Sequence, residues 1–209
     1  MSLQQLLQQG SIWRGNTHDV YQYEGGVKGI ASGYDELDDV LPFHGWPTGA
    51  LTEILHLFPG QGELQLLLPA LGRLTHEQCY VVLINPPWVP CAFALSAAGI
   101  RLPFLISISG LNGADQYWAM EQSLRADQCG AVLVWPDQDL NTKTLRRLQL
   151  AAEKGESCGF LFRHPRFRKQ HSPAALRLQL HAEEVGAQLE MIKCRGRSFV
   201  PGPVKISLA

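Results

Sequence analysis

From residue 51 to residue 163 of this 209-residue chain, short apolar runs alternate with amphipathic stretches, and this alternation limits the possible folds more than any other feature. The runs 51–57 (LTEILHL), 80–84 (YVVLI), 103–108, 131–135 (AVLVW) and 158–163 (CGFLFR) have the length and the β-branched or aromatic content of strands. Between them, 62–74, 90–98, 114–126 and 142–154 read as helices. Strands apolar on both faces, each followed by a helix, predict an α/β fold. Its sheet is mainly parallel with helices on both faces, and 51–57, 80–84 and 131–135 are neighbours in it.

Beyond residue 163 the pattern changes. A polar, strongly basic segment, 164–172 (HPRFRKQHS), precedes two alternating runs, 175–182 and 188–193, joined by a short glycine-containing link. These predict an antiparallel C-terminal hairpin at the sheet's edge. The chain then divides into an N-terminal arm (1–30), one domain (31–195) and a tail (196–209). Two prolines and two glycines in the tail predict loose attachment.

With 45% hydrophobic and 18% charged residues, the chain is too apolar and too weakly charged to be disordered. Its apolar runs fall short of the roughly 20 residues a membrane span needs, and residues 1–10 are polar, so a soluble cytoplasmic protein with no membrane partner is expected. The five cysteines, Cys79, Cys91, Cys129, Cys158 and Cys194, form an odd set without CxxC or CxxxC spacing. That pattern suggests neither a disulfide framework nor a zinc site, but small core side chains.

The net charge of −1 conceals an asymmetry. Residues 1–140 hold 5 Lys/Arg against 14 Asp/Glu, and residues 141–209 hold 13 against 5. The basic third could meet DNA, an acidic protein or the chain's own acidic part. Arg146 and Arg147 lie on the 142–154 helix, where a salt bridge to the acidic part is one reading. Arg163, Arg166, Arg168 and Lys169 crowd the segment after the last core strand, and such close cations suggest an external anionic partner. Asp35, Glu36, Asp38 and Asp39, flanked by His44 and His56, match no metal-ligand spacing and read as a solvated helix face. Residues 85–90 (NPPWVP) follow a core strand and so lie at the carboxyl edge, where open α/β sheets bind ligands. Their prolines stiffen the loop, and Trp88 there either packs over a helix end or anchors a partner.

Residues 32–54 (SGYDELDDVLPFHGWPTGALTEI) resemble the lead-in of RecA-type recombinases, with Ser32, Gly33, Leu37, Asp38, Gly45, Pro47, Gly49 and Glu53 at the positions that family fills. The family continues into a phosphate loop, GxxxxGK[ST], whose backbone N–H groups and lysine hold phosphates. This chain instead has Pro59, Gly60, Gln61, Gly62, Glu63 and Leu64. A carboxylate replaces the lysine, and a leucine replaces the hydroxyl that would ligate Mg²⁺. The strand 131–135 also ends in Trp135 where a metal-binding Asp would stand, with Asp137 displaced beyond Pro136. The resemblance therefore implies a single RecA-like domain with a degenerate phosphate loop: not an enzyme, with no catalytic residues, metal or cofactor.

Over about residues 30–197 the chain is similar to ImuA, a family of SOS proteins, and over a smaller shared part to its sister family SulA. The motifs are GWPTGALTEIL, GELQLLLPAL, LINPPWVPCAFALSAAGI, WAMEQSLR, GAVLVWP, LRRLQLAAEKG, GFLFRHP, SPAALRLQL and KCRGR. The complete GWPTGALTE and LRRLQLAAE segments favour ImuA. That resemblance implies a non-catalytic adaptor in translesion DNA synthesis, working with an ImuB-like protein and an error-prone DnaE-type polymerase, with RecA and DNA as further contacts. The alternative, implied by SulA, is a cell-division inhibitor that binds FtsZ.

Overall fold

Apolar side chains alternate along the core strands and fill both faces of one sheet, so helices must close it on each side. The computed structural model describes residues 29–195 and 201–208. In chain order the elements are β1 (Gly29–Ile30), α1 (Asp35–Asp38), β2 (Trp46–Pro47), β3 (Ala50–Leu55), α2 (Leu68–His76), β4 (Tyr80–Ile84) and α3 (Ala92–Ala97). There follow β5 (Leu105–Ile108), α4 (Gly113–Leu124), β6 (Cys129–Val134), α5 (Thr142–Gly155), β7 (Cys158–Arg163), β8 (Leu176–Ala182), β9 (Ala187–Cys194) and β10 (Val204–Ile206). Residues 1–28 of the expected arm and 196–200 of the expected tail lie outside the described residues.

The main sheet has eight strands in the order β10-β9-β8-β3-β7-β6-β4-β5, and β1 and β2 form a separate antiparallel pair. Strands β3 to β8 are parallel, and β9 and β10 are antiparallel additions at one edge. The three segments expected as neighbours share this sheet: β4 adjoins β6, and β7 separates β6 from β3. In β4, Val81 and Leu83 face a layer that includes Leu37, Leu66, Leu71 and Leu95. Val82 and Ile84 face the opposite layer, with Met120, Leu124, Leu145 and Leu148. The period-two alternation thus feeds two cores, one on each face.

Helix α5 shows how local sequence fixes an element. The Asn141 carboxamide oxygen accepts the Thr144 N–H at 2.8 Å, capping the start. Leu145, Leu148, Ala151 and Ala152 form the buried stripe, and the helix ends at Glu156, whose φ of 51° is left-handed. Other boundaries shift from expectation for local reasons. The stretch 62–64 stays in a loop, a 3₁₀ turn spans Gln65–Leu67, and α2 begins only at Leu68, with Pro69 in its first turn. Pro103 sits in a 3₁₀ turn, so β5 starts at Leu105.

The tail corrects the expectation of loose attachment. Val204, Lys205 and Ile206 pair with Leu189, Gln188 and Ala187 of β9, and Ile206 is buried. Pro201 and Pro203 precede the strand, where they cost the ladder no donor; composition alone had suggested a loop.

Gly155 closes α5 against the end of α4. A Cβ there would stand 1.9 Å from the Leu124 carbonyl oxygen, a backbone atom that cannot move aside alone. Gly155→Ala is expected to destabilise the fold by about 1–3 kcal/mol in urea unfolding. Gly202→Ala, whose Cβ meets nothing within 4 Å, is expected to cost less than about 0.5 kcal/mol.

Candidate functional site

The loop after β3 is closed by its own side chains. The Gly60 N–H donates to both Glu63 carboxylate oxygens, at 2.8 and 3.0 Å, and Glu63 is buried. The Leu57 and Phe58 N–H groups donate to the Gln61 carboxamide oxygen at 3.2 and 3.1 Å, and His56 Nδ1–H donates to the Phe58 carbonyl at 2.8 Å. Gly60 and Gly62 take φ of 85° and 93°, a left-handed region that favours glycine. A backbone amide that a phosphate loop would turn toward its anion is here held by the chain's own carboxylate. Leu64 packs against the core. Asp137 accepts the Gly113 N–H at 3.1 Å, at the start of α4, and Trp135 stacks on Phe162 with ring centroids 4.5 Å apart.

The loop after β4 is pinned at its root. Asn85, at φ 49°, accepts the Leu111 N–H at 3.1 Å through its side-chain oxygen, and its side-chain N–H donates to the Leu111 carbonyl. From there the chain runs through Pro86 and Pro87 to Trp88, whose ring carbons would lie 3.0 and 3.2 Å from a Cβ on Gly60. The two loops therefore meet at the carboxyl edge. Around the meeting point Leu57, Phe58, Trp88, Val89 and Phe93 are 50, 62, 62, 94 and 90% exposed.

The basic residues have a different fate from the one their spacing suggests. Arg163 is buried and donates to Glu53 Oε2 at 3.1 Å and to the Gln170 carboxamide oxygen at 2.7 Å, with its guanidinium 4.2 Å from the Phe167 ring centre. Arg177 reaches the same Glu53 oxygen at 3.3 Å and donates to the carbonyls of Phe167, Arg168 and Gln170. The Ser172 hydroxyl donates to the other Glu53 oxygen. Lys193 donates to the Ser172 carbonyl at 2.7 Å, and burial, with Arg195 and Arg177 nearby, pulls its pKa down.

Arg166 pairs with Asp139 at 2.6 Å, and Arg168 binds both oxygens of Glu190 at 2.7 and 2.5 Å. The Arg168 hydrogen bond holds the Glu190 carboxyl below its usual pKa, and in return the guanidinium is raised. Arg147 pairs with Glu121, which also binds Arg125 at 2.7 Å. Arg146 and Lys169 are exposed and have no carboxylate partner among the described residues.

This corrects the expectation of four crowded cations awaiting an external anion: Arg166 and Arg168 each pair with an internal carboxylate, and buried Arg163 shares Glu53 with Arg177, all with acids distant in sequence. Of the KCRGR motif (193–197), which adds further cations, residues 196 and 197 fall outside the described residues. In the acidic cluster, Asp38 accepts the Ser32 N–H while Asp35, Glu36 and Asp39 face solvent. No described group of His, Cys, Asp and Glu is placed to hold a metal, and no described helix is long and apolar enough to cross a membrane. None of the cysteines forms a disulfide, and burial pushes the Cys129 and Cys158 thiols up to about 12.

The α/β domain thus carries exposed apolar side chains on its carboxyl-edge loops, while its buried charges brace the chain itself. Residues 49–159 match the family model described as cell division inhibitor SulA, and the chain belongs to that family. It is 28% identical to the cell division inhibitor SulA of Serratia proteamaculans over 58% of this chain and 72% of that protein. Its identity to the SulA of Cronobacter turicensis is 30%, over 55% and 69%, and to that of Klebsiella aerogenes 26%, over 65% and 80%.

These matches overturn the reading of the chain as an ImuA-type translesion adaptor with ImuB-like and DnaE-type partners. The lead-in and the LRRLQLAAE segment had favoured that branch, but the family matched from β3 to the start of β7 is the division inhibitor. Both apolar loops fall inside the matched region, and the 163–169 segment falls outside it.

Glu53 is the one carboxylate between two buried guanidinium groups. Glu53→Ala is expected to destabilise the protein by about 3–5 kcal/mol in urea unfolding, because it strands both charges. Lys169→Ala, on the exposed face of the same crossover, is expected to cost less than about 0.5 kcal/mol.

Proposed function

We propose that this protein is a non-enzymatic inhibitor of cell division, induced in the SOS response, that acts by binding FtsZ and preventing its polymerisation. The observation that carries the reading is the SulA family match over residues 49–159, which takes in the sheet from β3 into β7 and both apolar loops at its carboxyl edge. The site chemistry agrees with an inhibitor that works by occupancy, for the loop after β3 spends its Gly60 amide on Glu63 and offers Leu64 where a metal-binding hydroxyl would be needed. In this reading the core is recombinase-like and has given up nucleotide chemistry.

Sedimentation of FtsZ with GTP tests the proposal. The purified protein is expected to move FtsZ from pellet to supernatant at near-stoichiometric amounts, and its expression to make cells filament. Undiminished polymer at excess inhibitor contradicts the proposal. Calorimetry with ATP and Mg²⁺ tests the loop separately: no binding is expected, and a micromolar dissociation constant, equivalent to about −8 kcal/mol, contradicts that part.

A further inference from the structure

We infer that the joined loops 57–62 and 86–93 are the surface that grips FtsZ, and that the patch they meet on it is apolar and uncharged. The inference rests on the division-inhibitor reading and adds to it the location and chemistry of the contact. Its first ground is charge. Residues 54–62 and 78–100 contain no Asp, Glu, Lys or Arg, in a chain with 37 such residues among 209. Within these two segments a charged patch on the partner would lose its hydration and meet no counter-charge, and the Asp139–Arg166 pair in the loops after β6 and β7 is already matched, a balance that favours an uncharged patch.

Burial within the chain is the second ground. Helix α3 offers Ala92, Phe93, Ala94 and Ala97 to solvent, and only Leu95 reaches the core. Phe58, Trp88 and Val89, on the loops that meet at the carboxyl edge just before this helix, are exposed as well, and exposed apolar surface of this kind marks protein interaction sites. The third ground is rigidity. Glu63 holds the Gly60 amide, Gln61 holds those of Leu57 and Phe58, Asn85 anchors the second loop, and Trp88 lies against the bare Cα of Gly60. Loops held in place before contact lose little backbone entropy on binding, and an exposed tryptophan supplies large area with few torsions.

The cations offer less. Arg163 is buried, and Arg147, Arg166 and Arg168 already have carboxylate partners.

The test is binding of full-length wild type, Trp88→Ala/Phe93→Ala and Arg146→Ala/Lys169→Ala to FtsZ, with thermal melts of each. Both residues of the first variant are exposed, so its melt is expected to match wild type while its affinity falls by roughly 30-fold or more. The second variant is expected to bind like wild type, and wild-type affinity to change little across a salt series. If wild type binds and the apolar variant binds within about threefold of it, the surface is misassigned while the division-inhibitor reading stands. A steep fall of wild-type affinity with salt, or a loss confined to the Arg146/Lys169 variant, likewise overturns the surface. If wild type does not bind FtsZ, the functional reading fails and this inference fails with it.

Discussion

A single carboxylate, Glu53, lies between the guanidinium groups of Arg163 and Arg177 in the middle of the sheet, and the arrangement follows from topology. The chain leaves β7 at the carboxyl end and must return to the amino end to start β8, crossing β3 on the way. It does so without an α-helix, so the crossover lays carbonyls of Phe167, Arg168 and Gln170 over the sheet with no ladder to receive them. Arg177 supplies the donors. Two buried cations then require a counter-charge, and Glu53 is its source. Buried ion pairs seldom add stability over apolar packing, yet losing one member is costly. Here the cluster fixes where the crossover lies, and with it the union of β7, β3 and β8.

That union sets the carboxyl end of β3, from which the loop to Glu63 departs. The His56 N–H donates to the Arg163 carbonyl at 2.9 Å, so the root of the loop is tied to the strand that carries the buried arginine. Closed by Gln61 and Glu63, the loop has little freedom left to reorganise around a ligand. Its exposed side chains, and those of the loop bearing Trp88, form a stiff apolar rim. In an open α/β sheet this edge is the ordinary place for a ligand; in this reading the ligand is another protein's surface.

The parallel sheet and its two helical layers were legible because the alternation of apolar residues reports burial on both faces, as Val81 to Ile84 show. The loop after β3 is legible in chemistry but not in geometry: Glu63 is evident as a substitution for lysine, whereas its bond to the Gly60 amide depends on how the loop folds back. Charge along the chain does not reveal the partners of the basic segment. Arg163 finds Glu53 from 110 positions away, Arg166 finds Asp139 and Arg168 finds Glu190, pairings made by strand order. Trp88 is legible as a residue of the carboxyl-edge loop, whereas its exposure beside Gly60 depends on two loops meeting that the sequence keeps apart. Val204 to Ile206 were obscured by the prolines and glycines before them. The choice between two related families rested on short motifs, and it was the match across 49–159 that decided it.

Amide hydrogen exchange on the full chain, with and without FtsZ, tests most directly the claim that the carboxyl edge is the working surface. Slowed exchange at the non-proline amides of residues 57–62 and 86–93, with 163–170 and α5 unchanged, is the predicted result. Protection confined to 163–170 or α5, with none in the two loops, would contradict it.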